Sequence, residues 1–270
     1  GDNASCRILV TVRSEYVKKI IEQLKKSGFK LFDVYENKNW GVSANRVLRD
    51  EWVVNKLMAI EEGQSLLDAG AGEQRYRRKC EHLQYTSQDF CQYDGLNGDG
   101  RGIEYGYWDT HKIDIVSDVV NIPVADASFD NVLCTEVLEH IPQPETAIAE
   151  FARIVKPGGR LLLTAPFNSF THMAPYHYCD GFNTHWYKYW LPKHGFEIKE
   201  LKASGNFFSK LEQDIYYVED FASKYDYELS HSDTENIRNM RKLLHKLLKK
   251  GIGDSSDITC YGYFCEAVKL

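Results

Sequence analysis

Three aspartates, each closing or following a short strand-like run, are the residues whose chemistry reads most directly. Ser65-Leu66-Leu67-Asp68 leads into Ala69-Gly70-Ala71-Gly72. The apolar run predicts a buried strand. The Gly-x-Gly after it predicts a sharp turn whose backbone can approach a ligand without a Cβ clash. Asp89 closes the next run, Gln84 to Asp89, 21 residues after Asp68. A carboxylate there can accept hydrogen bonds from both hydroxyls of a ribose, each worth about 1.5–3 kcal/mol. Asp118 lies in Ser117-Asp118-Val119-Val120-Asn121-Ile122-Pro123. An acid just past a third strand can accept from an exocyclic adenine amine, with the backbone of Val119 reading the ring edge. Each has a plainer reading alone: a strand-to-helix turn for the glycines, a cap or turn residue for Asp89. In this order they describe a nucleotide-like ligand at the carboxyl ends of parallel strands.

Two cofactors suit such a site, a nicotinamide dinucleotide and S-adenosylmethionine (SAM). Dinucleotide loops need a third small residue where a helix N-terminus meets the pyrophosphate. Here Gly70-Ala71-Gly72-Glu73-Gln74-Arg75 puts bulky Arg75 at that place and an acid, Glu73, beside the loop. A diphosphate is poorly served there. SAM has no phosphate and carries a sulfonium and an ammonium, with which carboxylates are compatible.

A second constellation is rich in histidine. His140 ends Cys134-Thr135-Glu136-Val137-Leu138-Glu139-His140, and His172, Tyr176, His177, Tyr178 and His185 follow the strand expected at 160–165. Histidine is the usual side chain for removing a proton near neutral pH. His172 and His177 are candidates for acceptor contact or base. His140 is a candidate member of the same catalytic group with a more structural role. The plainer reading is that these rings pack the loop and cap the helix expected at 184–194. His172, His177, Cys179 and His185 match no standard zinc spacing, so no metal is expected.

These residues need a scaffold, and the pattern supplies an α/β one. Strands are predicted at 65–68, 84–89, 113–116, 131–135, 160–165, 196–202 and 260–268. Helices are predicted at 43–62, 73–81, 144–155 and 184–194. The alternation implies a mostly parallel sheet covered on both faces. Pro157-Gly158-Gly159 is a turn between a helix and a buried strand. Five glycines over 94–106 predict a loop where a crossover helix would otherwise stand. Residues 206–256 form an insertion of two helices. In the second, Ile237, Met240, Leu243, Leu244, Leu247 and Leu248 form one stripe, with basic residues from Arg238 to Lys250 outside it as a solvated face. Residues 8–35 read as strand, helix and strand, and 36–42 as a linker. So small a βαβ piece must pack on the main domain, on a second copy of the chain, or on a missing N-terminal domain.

Composition narrows the partners. A net charge of −6 argues against general nucleic-acid binding. No apolar run reaches the length of a membrane helix, so stable membrane insertion is not expected. Seven scattered cysteines, with no C-x-x-C pair, read as free thiols of a cytoplasmic protein.

Taken together, D-A-G-A-G at 68–72, the acid at 89, S-D-x-x-x-I-P with S-F-D at 128–130, E-V-L-E-H and K-P-G-G-R-L-L-L-T-A-P-F resemble the class I SAM-dependent methyltransferases, in their ubiquinone-biosynthesis-like (type 11) branch. The resemblance covers residues 43–202 and the closing strand. It implies a Rossmann-like doubly wound sheet of seven strands with the last antiparallel. A methyltransferase domain would then span 43–270, with an N-terminal extension and linker at 1–42. It also implies that Gly70, Ala71 and Gly72 flank the methionine part of SAM, that Asp68 orients that loop and the ammonium, and that Asp89 binds the ribose. Phe90 would stack on the adenine, Asp118 and Val119 read its edge, and Glu136 lie at the floor. The expected function is methylation of a small-molecule oxygen or nitrogen nucleophile, a sugar or another biosynthetic intermediate. The alternative is a non-catalytic SAM-binding regulatory or partner subunit.

Overall fold

The computed structural model describes residues 40–95, 102–103, 108–250 and 254–270. The strand–helix–strand expected at 8–35 and most of the glycine loop at 94–106 lie outside the described residues. The chain divides into two compact units, Gly1–Trp40 and Gly41–Leu270. The described residues after Trp40 all belong to the second.

That unit is built on helix α1 (Trp40–Met58), strands β1 (Ser65–Ala69), β2 (Gln84–Asp89), β3 (Ile115–Val116) and β4 (Phe129–Thr135), helix α2 (Pro144–Ile154), strand β5 (Val155–Pro166), helix α3 (Thr184–Lys193), strand β6 (Phe196–Ser204), helices α4 (Phe207–Lys224) and α5 (His231–Lys249), and strand β7 (Gly262–Lys269). The seven strands form one sheet in the order β3-β2-β1-β4-β5-β7-β6. β1 pairs in parallel with β2 and β4, and β7 runs antiparallel to both β5 and β6.

The alternation of a strand explains why β1 reads as continuously apolar. Leu66 packs with Trp52, Val53 and Leu57 of α1 and with Phe264. Leu67, one residue on, packs with Ile148 and Phe151 of α2 and with Val132 and Leu161. Both leucines are fully buried, which stabilises the fold by roughly 1.5–3 kcal/mol each. A strand buried on both faces has no polar side to show.

Three expectations change. The helix predicted at 73–81 is a series of turns with one 3-10 turn, Arg77–Lys79. Gln74 takes a positive φ of 54°, which breaks a right-handed helix at its second residue. The Pro-Gly-Gly segment lies inside β5 as an irregularity opposite Phe129 and Asn131. A Cβ on Gly159 would lie 2.6 Å from the Asp130 carbonyl oxygen, so only glycine lets the two backbones approach. The apolar stripe of α5 is narrower than expected. Leu244 is buried, whereas Met240 and Leu243 are exposed, and Arg241 turns inward to pair with buried Glu212 at 2.8 Å.

Candidate active site

Every parallel strand from β1 to β5 delivers its carboxyl end to one cavity of about 1030 Å³. β1 contributes Asp68 and the Gly70–Gly72 turn, β2 Asp89 and Phe90, and β3 is followed by Asp118 and Val119. β4 leads to Glu136, and the loop after β5 brings His172. All nine residues expected to hold the cofactor line this space. A smaller cavity of about 730 Å³ lies beside α3 and β6 and shares none of them.

The glycine turn is held differently from expectation. The Gly70 amide donates to Gln88 Oε1 at 3.2 Å, and the Gly72 amide to Asp89 Oδ2 at 2.9 Å. Asp68 accepts from the Tyr85 hydroxyl at 2.7 Å, so the loop is oriented by Gln88 and Asp89 rather than by Asp68. The glycines answer to packing as well as to conformation. Gly70 has a φ of 71°, and a Cβ there would meet Val137 Cγ2 at 2.3 Å. Gly72 has a φ of 49° and would meet Trp108 at 3.0 Å. Arg75, read as a barrier to diphosphates, forms an ion pair with Asp50 at 2.8 Å.

Burial acts strongly on the acids here. Asp68 is pushed up to about 6 by loss of solvent, with nearby Asp89 adding to the rise and the Tyr85 hydroxyl opposing it. A cation placed against it would restore the carboxylate, so the wall fits the charge of a SAM ammonium or sulfonium. Asp89 also accepts from the Cys91 amide at 2.9 Å. A carboxylate offers about four acceptor positions, so two backbone partners leave Asp89 capacity for a ribose.

Glu136 sits just after β4 at a positive φ of 53°, a costly conformation for a side-chain-bearing residue. Its carboxylate accepts from Thr164 Oγ1 at 2.8 Å and pairs with Arg49 of α1 at 2.7 Å. The next residues turn through a 3-10 segment, Leu138–His140. That turn buries Glu139 to 1% exposure and presents His140. The loop carrying the other histidines is stapled to it: the amides of Tyr178 and Cys179 donate to the Glu139 carbonyl at 2.9 and 3.2 Å.

The three candidate catalytic histidines form one cluster. Ring centroids of His140 and His172 lie 4.7 Å apart, and those of His172 and His177 also 4.7 Å. His140 and His172 line the cavity; His177 does not, and sits behind them against the Ser169 hydroxyl at 3.2 Å. Burial, with His172 adding, pushes His140 down to about 3. Burial lowers His172 and His177 too. His185 lies apart, in the first turn of α3, where Asn183 caps the helix by accepting from the His185 and Trp186 amides.

Several wall residues carried no sequence signal. Arg46 and Arg49 belong to α1 and to none of the motifs, yet both line the cavity. Lys210 and Asp214, 2.5 Å apart on α4, line it too, which makes the helical insertion part of the site. Glu139 was visible in the E-V-L-E-H string, but nothing in a string says that a 3-10 turn will bury it.

Comparison with known proteins joins this geometry to a family. Residues 67–163 match the methyltransferase domain family. That match runs from within β1 into β5 and covers about a third of the chain. A ubiquinone biosynthesis O-methyltransferase from Xanthomonas oryzae pv. oryzae is 38% identical over 63 residues, which is 23% of this chain and 26% of that protein. A 27-O-demethylrifamycin SV methyltransferase from Amycolatopsis mediterranei is 27% identical over 114 residues, 40% of each chain. The similarity thus spans well under half of these relatives. Among solved structures, a SAM-dependent methyltransferase from Archaeoglobus fulgidus shares the fold with a TM-score of 0.50 at 15% identity, covering 88% of this chain and 100% of its own. The [4+2]-cyclase SpnF also has a TM-score of 0.50, at 18% identity, covering 82% of this chain and 80% of its own. Since one of these is a cyclase, the fold alone does not choose the reaction.

Proposed function

We propose that this chain transfers the methyl group of SAM to an oxygen or nitrogen atom of a small molecule, in the cavity at the carboxyl edge of the sheet. One observation carries the reading: Asp68, the glycine turn, Asp89, Asp118 and the histidines His140 and His172 line a single cavity. In this reading Gly70, Ala71 and Gly72 run along the methionine part and Asp68 faces its ammonium. Asp89 takes the ribose hydroxyls. Phe90, edge-on to Tyr176 at 5.1 Å, covers the adenine, whose edge meets Asp118 and Val119. Glu136, fixed by Arg49 and Thr164, forms the floor.

SAM supplies an already activated methyl group, so the chain's task is to bind, align and exclude water. Alignment of this kind is worth about 7–11 kcal/mol. The acceptor is then held between the histidine cluster and α4, where His172 is the candidate for direct contact and His177 supports it from behind. The described cysteines, free thiols in each case, support a cytoplasmic setting. The two named relatives are O-methyltransferases, which supports oxygen as the accepting atom.

The test is turnover. Incubation with SAM and a panel of hydroxylated and aminated small molecules should release S-adenosylhomocysteine with at least one of them. Binding of SAM without release from any acceptor would leave a non-catalytic SAM-binding subunit as the better description.

A further inference from the structure

The inward stripe of α4 is polar, where a packed helix normally turns an apolar stripe inward. Lys210, Gln213, Asp214 and Tyr217 stand at i, i+3, i+4 and i+7, the spacing of one helix face, and all four line the cavity. Lys210 is 6% exposed, a costly place for an ammonium. It pairs with Asp214 Oδ1 at 2.5 Å and lies 5.3 Å from the centre of the Phe170 ring. The pair is neutral as a unit, yet neither member is saturated. An ammonium has three donors and a carboxylate about four acceptor positions, and the bond between them uses one of each. Gln213 adds an amide and Tyr217 a hydroxyl to the same face. The ion pair that braces α4 lies elsewhere: buried Glu212 takes Arg241 of α5 at 2.8 Å, and neither lines the cavity.

Resting on methyl transfer in this cavity, we propose that the α4 face recognises the methyl acceptor as a neutral sugar ring, with Lys210, Gln213 and Asp214 reading its hydroxyls. Each hydroxyl of a sugar both donates and accepts. A donor and an acceptor held side by side therefore fit two neighbouring hydroxyls better than a lone carbonyl or an anion. The same face offers apolar cover. Phe170, 37% exposed, meets Tyr217 edge-on at 5.6 Å, and Phe221 stacks on Tyr217 at 5.4 Å. Phe170 and Tyr217 line the cavity, so the C–H surface of a ring can pack on them while its hydroxyls turn to Lys210, Gln213 and Asp214.

Charge argues against an anionic acceptor at this wall. Asp214 already neutralises Lys210, and a phosphate or carboxylate beside the pair would be repelled by Asp214. A flat apolar acceptor is disfavoured too, because it would cover the polar stripe and leave buried donors and acceptors unpaired. With a sugar in place, one ring hydroxyl attacks the methyl carbon of SAM. Its oxygen forms the new C–O bond as the C–S bond breaks and the electron pair stays on sulfur. The hydroxyl proton leaves to solvent.

The test is S-adenosylhomocysteine release by the full chain with SAM and three classes of probe. These are the methyl glycosides of glucose, galactose, mannose and ribose; methyl glucuronoside, an anionic sugar; and catechol, a flat phenol. At least one neutral glycoside should turn over with kcat/KM tenfold or more above the other two classes. Gln213→Ala should raise KM for that glycoside at least tenfold and lower kcat less. Asp214→Asn frees the Lys210 charge and should shift preference at least tenfold toward methyl glucuronoside, which a merely bracing ion pair would not do. Calorimetric SAM binding by both variants should match the parent and so report intact folding. No release from any neutral glycoside, or an unshifted preference in Asp214→Asn, would overturn the sugar assignment; release from catechol alone would do so with methyl transfer left standing. No SAM binding by the parent chain would instead overturn the methyl-transfer reading.

Discussion

The two edges of the sheet treat their carboxylates in opposite ways. At the amino edge, Asp130 at the start of β4 accepts from the Ser65 amide and hydroxyl at 2.9 and 2.7 Å and pairs with Lys156 at 2.7 Å. Partial burial would raise it, but these partners hold it down at about 2. At the carboxyl edge, Asp68 has one hydroxyl donor and no cation partner among the described residues, and it rises to about 6. Glu139 is raised well above the usual carboxylate range by burial and by Glu136. The amino-edge acid is satisfied within the fold; at the carboxyl edge Glu136 is paired with Arg49, whereas Asp68 and Glu139 stay raised. Perturbed groups gathered in a cavity mark a functional site, and the contrast separates the acids that bind from the acids that brace.

The largest break should come from Gly70→Ala. The new Cβ would meet Val137 at 2.3 Å while the backbone stays at a φ of 71°, and left-handed strain plus overpacking together cost about 2–5 kcal/mol. Thermal melting should show a drop of more than 5 °C or failure to fold. A melt within 1 °C of the parent would mean that the turn is not held as described.

Asp89→Ala comes next. Loss of the ribose hydrogen bonds should weaken SAM binding on the order of 100-fold, read by calorimetry, with the far-ultraviolet spectrum unchanged. An unaltered affinity would remove the ribose assignment.

Asp68 makes the edges differ in pH response. Its folded value of about 6 lies above the ordinary aspartate value near 3.9, so folding favours the protonated form. The stability this confers is complete below about pH 4 and is lost as pH rises through about 6, a change of roughly 2–3 kcal/mol in the free chain. Asp68→Asn should flatten that window in denaturant melts between pH 4 and 7. In the parent, SAM affinity should rise across the same window, because a bound cation favours the carboxylate. A pH-independent affinity would place the ammonium elsewhere.

The smallest effect belongs to the amino edge. Lys156→Met removes a partly exposed ion pair and should cost no more than about 1 kcal/mol, with SAM affinity unchanged. A tenfold loss of affinity would erase the distinction between the edges.

Much of this was legible because the chemistry follows strand ends. The apolar run before Asp68, the acid closing 84–89 and the acid after 113–116 each sit where a parallel sheet must deliver them. Their order could therefore be read before their positions. What stayed hidden depended on three-dimensional neighbours. Gln88 and Asp89, not Asp68, hold the glycine turn, because hydrogen bonds between adjacent strands leave no trace in a one-strand motif. The turns at 73–81 keep helical composition but buried Tyr76, bonded to Asp50 at 2.9 Å, competes with the helix. Arg49 looks like a surface charge until Glu136 is placed beside it. His140 and His172, 32 positions apart in the chain, meet only through the pairing of the 172–179 loop with Glu139.

The most direct measurement is calorimetric titration of the full chain with SAM at pH 7.5. Binding of one SAM per chain at low micromolar affinity or tighter is the expected result. No heat at high micromolar SAM from a chain that melts cooperatively would contradict the assignment of the carboxyl edge as a SAM site.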